Sequence, residues 1–146
     1  MSNNFTSLDA ILTQDTEELT SLKVGEFDSE KLGLIAYTAV DHTEYKKAKK
    51  DCINWVQDGS GRSKADVDDD KLMVHLIIEA VDKDDRSDFT FANKKLLEKL
   101  NVVSAEKAVS KLLQPGEIYE FAMDIQDLSG FGKKAKKELE KEVKNS

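Results

Sequence analysis

"LLQPGEIYEFAMDIQDLSGFG", Leu112 to Gly132, holds the only proline of the chain and three of its seven glycines. Pro115 suits the first turn of a helix, because its missing N–H would have had no partner there. Glu117 then favours the positive end of the helix dipole. Ile118, Phe121, Ala122, Ile125 and Leu128 recur every three or four residues, so the segment predicts one buried stripe. Gly130 can adopt the left-handed backbone of a helix ending, and Phe131 can supply the apolar contact of a Schellman motif. A bounded core helix is therefore expected from Pro115 onward.

The same periodicity extends backward. Ser104 can cap a helix with Ala108, Val109, Leu112 and Leu113 on its face, and Leu96, Leu97 and Leu100 mark another before it. "DKLMVHLIIEAV", Asp70 to Val81, is apolar nearly all round and predicts the central, most buried helix, capped by Asp69 or Asp70. Upstream of it, Tyr45, Ala48, Cys52, Ile53 and Val56 fit one helical face, started by Asp41 or Thr43 and ended by Gly59. Between these, "QDGSGRSKADVDDD" reads as a flexible acidic loop, and "DKDDRSD" as a second polar turn. Before Asp41 the period is two: Leu22 and Val24, then Leu32, Leu34, Ala36 and Thr38. That pattern predicts a β-hairpin turning near Asp28–Glu30. The expected fold is mainly α (α+β), about five helices around an apolar central helix with a small N-terminal hairpin. The expected organisation is a flexible segment at 1–20, one domain at 21–132 and a basic, partly disordered tail at 133–146.

A length of 146 residues fits one domain with a core of its own. One cysteine, Cys52, cannot form an internal disulfide, and its apolar neighbours predict a buried thiol. No apolar run approaches the roughly 18 residues of a membrane span, and no signal peptide is apparent, so a cytoplasmic protein is expected. The net charge of −7 argues against nucleic acid as a partner. Residues 133–146 hold six lysines and three glutamates, a net of +3, which leaves −10 on the other 132 residues.

Catalytic chemistry finds no foothold. Asp66, Asp68 and Asp70 match the first ligands of a calcium loop, but Lys71 stands where glycine is needed and Ile77 where glutamate is needed. A frame starting at Asp82 and Asp84 fails at Arg86, Ser87 and Asn93. "DGSGRSK" lacks the spacing of a phosphate loop. His75, inside the apolar helix, is expected to be a core or edge residue hydrogen-bonded to a neighbour, and His42 a surface turn residue. No nucleophile or acid–base pair accompanies either. No enzyme, cofactor or metal site is expected.

Four stretches resemble the XkdN-like tail assembly chaperones of phages and prophages of Gram-positive bacteria. They are "KLGLIAYTAVDHTEYKKAKKD" with its Glu44–Tyr45 pair, "KLMVHLIIEAV", "LLEKLNVVSAEKAVSKLLQPGEIYEFAMDIQDLSGF", and the closing "EVKN". The most distinctive feature is "LL-x-PGEI" followed by "L-SGF". The resemblance covers residues 20–146, with "VDKDDRSDF" replacing a turn in which relatives often carry proline. It implies a non-enzymatic protein of the host cytoplasm that binds the tape measure protein, and possibly the tail tube protein, during tail morphogenesis. It also implies that a longer frameshifted product can exist. A small virion subunit for tail completion or connection is the alternative. Partner contacts are expected at Leu112, Leu113, Pro115, Gly116, Glu117, Ile118, Phe131, Leu139 and Val143.

Overall fold

A computed structural model describes residues 5–57 and 59–131. In chain order they form α1 (Leu8–Thr13), α2 (Thr16–Thr20), β1 (Val24–Ser29), β2 (Gly33–Thr38), α3 (His42–Asp51), β3 (Ile53–Gln57), β4 (Ser63–Val67), α4 (Asp69–Lys83), α5 (Lys94–Leu100), α6 (Ala105–Leu112) and α7 (Pro115–Leu128). Two separate antiparallel hairpins, β1–β2 and β3–β4, accompany these seven helices. The fold is thus mixed α+β, with one hairpin more and two helices more than the sequence led us to expect.

The centre is α4, as its all-round apolarity requires. Leu72, Leu76, Ile77, Ala80 and Val81 are buried, and α7, β2, α3 and α6 pack around them. Asp68, one residue before the expected caps, starts this helix by accepting from the Lys71 N–H at 3.1 Å. Helix α7 buries Phe121, Ala122 and Ile125, while Ile118 and Leu128 lie half-buried at the edge of the core. The Phe121 ring stacks on Phe27 with centroids 4.5 Å apart and meets Tyr37 at 5.1 Å.

Those two contacts set the parity of the first hairpin. Register pairs Phe27 with Ile35 and Gly25 with Tyr37, so Phe27, Ser29, Ile35 and Tyr37 face the core. Of the alternating set read in the sequence, Leu22, Val24 and Leu34 are exposed, while Leu32, Ala36 and Thr38 are half-buried. Both strand faces carry apolar residues, and the face with the aromatic pair wins because it covers Phe121. The turn also falls later than expected, at Glu30–Leu32, and Gly33 leaves it at φ +76°, a region open to glycine.

The larger correction lies between α3 and α4. A capping box starts α3: the Glu44 N–H donates to Asp41 Oδ1 at 2.8 Å, and the Asp41 N–H to Glu44 Oε1 at 3.0 Å. The helix stops at Asp51, well before Gly59. Ile53 and Val56, assigned above to its face, belong to β3, and the expected flexible loop contains β4. Trp55 pairs with Ala65 and Val56 with Lys64. Ile53 and Val67, at the base, are half-buried; the other residues of β3 and β4 are exposed, Trp55 to 72%. Cys52 is buried as expected, and burial pushes its thiol up.

The second polar turn is more structured than its composition implies. Asp84 is buried, and Thr38 Oγ1 donates to it at 3.0 Å. Arg86 holds Asp84 Oδ2 at 2.9 Å, Glu26 Oε1 at 2.6 Å and the carbonyls of Gly25 at 2.7 Å and Tyr37 at 3.3 Å, which ties the loop to both hairpin strands. Phe91, just beyond, is fully buried and meets Phe89 edge-on at 4.9 Å.

Candidate docking site at the start of the last helix

The "LLQPGEI" corner is built by one carboxylate. Gln114 donates its N–H to Glu117 Oε1 at 3.0 Å, the reciprocal arm of a capping box. The other oxygen, Oε2, accepts the Glu30 N–H from the hairpin turn at 2.9 Å. These backbone donors, Gln114 first and Glu30 second, hold the Glu117 carboxyl below its ordinary range. Glu117 therefore fastens α7 to the first hairpin.

The remaining expected contact residues divide by burial. Leu113 is only 2% exposed and belongs to the core, Leu112 is half-buried, and Pro115 and Gly116 are exposed. Phe131 is half-buried, and its ring lies on Tyr45 of α3 at 4.5 Å. The Gly130 N–H donates to the Asp127 carbonyl at φ +92°, as the expected left-handed ending requires. Leu139, Val143 and the expected basic tail lie outside the described residues.

Pro115 and Ile118 come together with two residues the sequence did not single out, Met73 and Val74 of α4. With Asp70 and Ser110 they line an open cleft of about 300 Å³. Tyr119, 57% exposed, and Met123 continue from Pro115 at four-residue spacing along one side of α7. The signal for Met73 and Val74 was the all-round apolarity of α4, since a cylinder packed on several sides still leaves one face open.

Carboxylates border this apolar strip. Glu120, Asp124 and Asp127 run along α7, and the Asp124 carboxyl is raised by burial first, then by Asp127 and Glu120. His75 places Nε2 3.5 Å from Glu106 Oε1, an ion-pair distance without hydrogen-bond geometry. Among the described residues no group of three His, Cys, Asp or Glu side chains could hold a metal ion. No helix there is long and apolar enough to cross a membrane.

An apolar cleft with an acidic border is thus built around "PGEI". The sequence profile of the phage XkdN-like tail assembly chaperone proteins matches residues 8–144. The chain belongs to that family. Its role lies in phage tail assembly, and its partners are phage tail proteins. The crystal structure of the protein yqbn, a structural-genomics target, has a similar fold. The TM-score is 0.57 at 12% identity, covering 81% of this chain and 97% of that one. No curated protein matches this chaperone.

Proposed function

We propose that this chaperone binds the tape measure protein in the host cytoplasm and keeps it soluble while the tail is built. No covalent chemistry is involved. The observation that carries the reading is the apolar strip of Met73, Val74, Pro115, Ile118, Tyr119 and Met123, bordered by carboxylates. An amphipathic helix can lay its apolar face on such a strip. The carboxylates favour clients with flanking lysine or arginine, and the net charge of −7 helps keep the complex in solution.

Co-expression with the tape measure protein of the same tail gene cluster, followed by affinity capture, tests the reading. The wild type is expected to retain the client in the soluble fraction. Tyr119→Ala with Met123→Ala should lose it while keeping the melting temperature near the wild-type value, because both side chains are exposed. A soluble client that never co-purifies with the wild type would overturn the proposal.

A further inference from the structure

Two surfaces outside the cleft carry opposite charge, and neither is absorbed by tail-protein binding. The first is the N-terminal arm. Between residues 5 and 22 stand four carboxylates, Asp9, Asp15, Glu17 and Glu18, with no lysine or arginine. Neither α1 nor α2 has a buried residue. Leu8 and Leu12 are each 71% exposed, and Ile11, Leu19 and Leu22 are exposed as well. Leu8, Ile11 and Leu12 share one side of α1, the spacing of a helix that lies on an apolar surface. Helices this short are marginal in water without such cover.

The second surface is on α3. This helix buries only Ala48 and presents Lys46, Lys47, Lys49 and Lys50 to solvent. His42, Thr43, Lys46, Lys47 and Lys50 line an open cleft of about 520 Å³. Among the described residues none of the four lysines lies within ion-pair distance of a carboxylate. Their methylene stems give the cleft an apolar floor beneath a cationic border. A concentrated positive face on a chain of net charge −7 calls for an acidic, partly apolar segment.

We infer that this segment is the N-terminal arm of a second copy, so that two chains associate by placing residues 8–22 of each on the α3 lysine face of the other. Four carboxylates meet four lysines, and the leucines lie on the lysine stems. Exchange in both directions gives a two-fold contact in which the same pair of surfaces is used twice. Among the described residues of one chain, nothing buries any residue of α1 or α2.

Sedimentation equilibrium of the purified protein at low salt and about 100 μM reads this directly, since even a micromolar contact is saturated at that concentration. The wild type is expected to run at twice 16.4 kDa and to dissociate as salt is raised. Lys46→Glu/Lys47→Glu/Lys50→Glu should weaken association at least about tenfold, and so should Asp9→Lys/Glu17→Lys/Glu18→Lys. All six positions are exposed, so circular dichroism and melting temperature should stay near wild type. Each reversed chain sets like charges against one another. In an equimolar mixture both contacts regain opposite signs, and the two-chain mass should return. A monomeric wild type, a dimer indifferent to both reversals, or a mixture that stays monomeric would each overturn the inference. Loss of client capture with the two-chain mass intact would instead count against the tape measure reading alone.

Discussion

Phe121 is the residue on which most of the packing converges. It is fully buried, it stacks on Phe27, and it meets Tyr37, so it joins α7 to both strands of the first hairpin. Phe121→Ala should destabilise the protein by about 3–5 kcal/mol in urea unfolding, the range for a large aromatic removed from a core. Its place on a helical stripe made it legible in the sequence. Phe27 was not legible, because it stands between Glu26 and Asp28, and Phe91 was not, because it follows a polar turn outside any helical period. Asp84 is the polar counterpart. Hydrogen bonds from Arg86, acting against the cost of burial, hold its carboxyl below the ordinary 3.8. A carboxyl lowered in the folded state contributes stability above the unfolded value, and that stability is lost as pH falls through the folded one. Asp84→Asn should therefore be less stable than wild type at neutral pH. The gap should close as urea midpoints are followed from pH 5 downward through the region below 3.8.

Among the elements, the two hairpins differ in what holds them. The first is fixed by its contact with α7, by Arg86 and by close cross-strand packing. A Cβ built on Gly25 would lie 2.8 Å from Tyr37 Cζ. The Tyr37 ring cannot swing away freely, because it is buried and rests against Phe121. Gly25→Ala should cost about 1–3 kcal/mol, the usual range for overpacking. In a Tyr37→Leu background the same change should cost clearly less, which a double-mutant cycle by urea denaturation would reveal. The second hairpin escaped notice because Cys52, Ile53 and Val56 fit a helical face as well as a strand. The competing signal was "INWVQ", rich in strand formers, followed by the turn residues "DGSG". Asp51 and Cys52 end the helix where the chain must turn back toward Asp68, whose N–H bonds the Cys52 carbonyl at 2.9 Å.

At the scale of the whole molecule these contacts imply a gradient of stability. Helix α4 is surrounded by four elements, whereas β3–β4 leaves the body with only Ile53 and Val67 half-buried. A two-stranded hairpin has little stability of its own in water. Amide exchange should therefore be fast along 54–57 and 63–66 by local opening, while Leu76, Ile77 and Ala80 exchange only with global unfolding. Protection of the hairpin equal to that of α4 would show that it shares in the cooperative core.

What the sequence determined by itself was the helical frame of the last third, the central place of α4, the cap at Ser104 and the glycine ending at Gly130, with Asp41 as one of two candidate caps for α3. Each rests on a local rule in which periodicity or a side chain reaches backbone groups within one turn. The family was legible for the same reason, since "LLQPGEI" and "LSGF" are contiguous. The tertiary structure alone decided which face of the first hairpin is inside, because both faces are apolar and only Phe121 distinguishes them. It also decided the fate of Glu117, which reads as a helix-start charge and serves as a clasp to Glu30, 87 residues away. The cleft itself could not be read along the chain. Met73 and Val74 lie more than 40 positions from Pro115, and only the packing of α4 against α7 makes them neighbours.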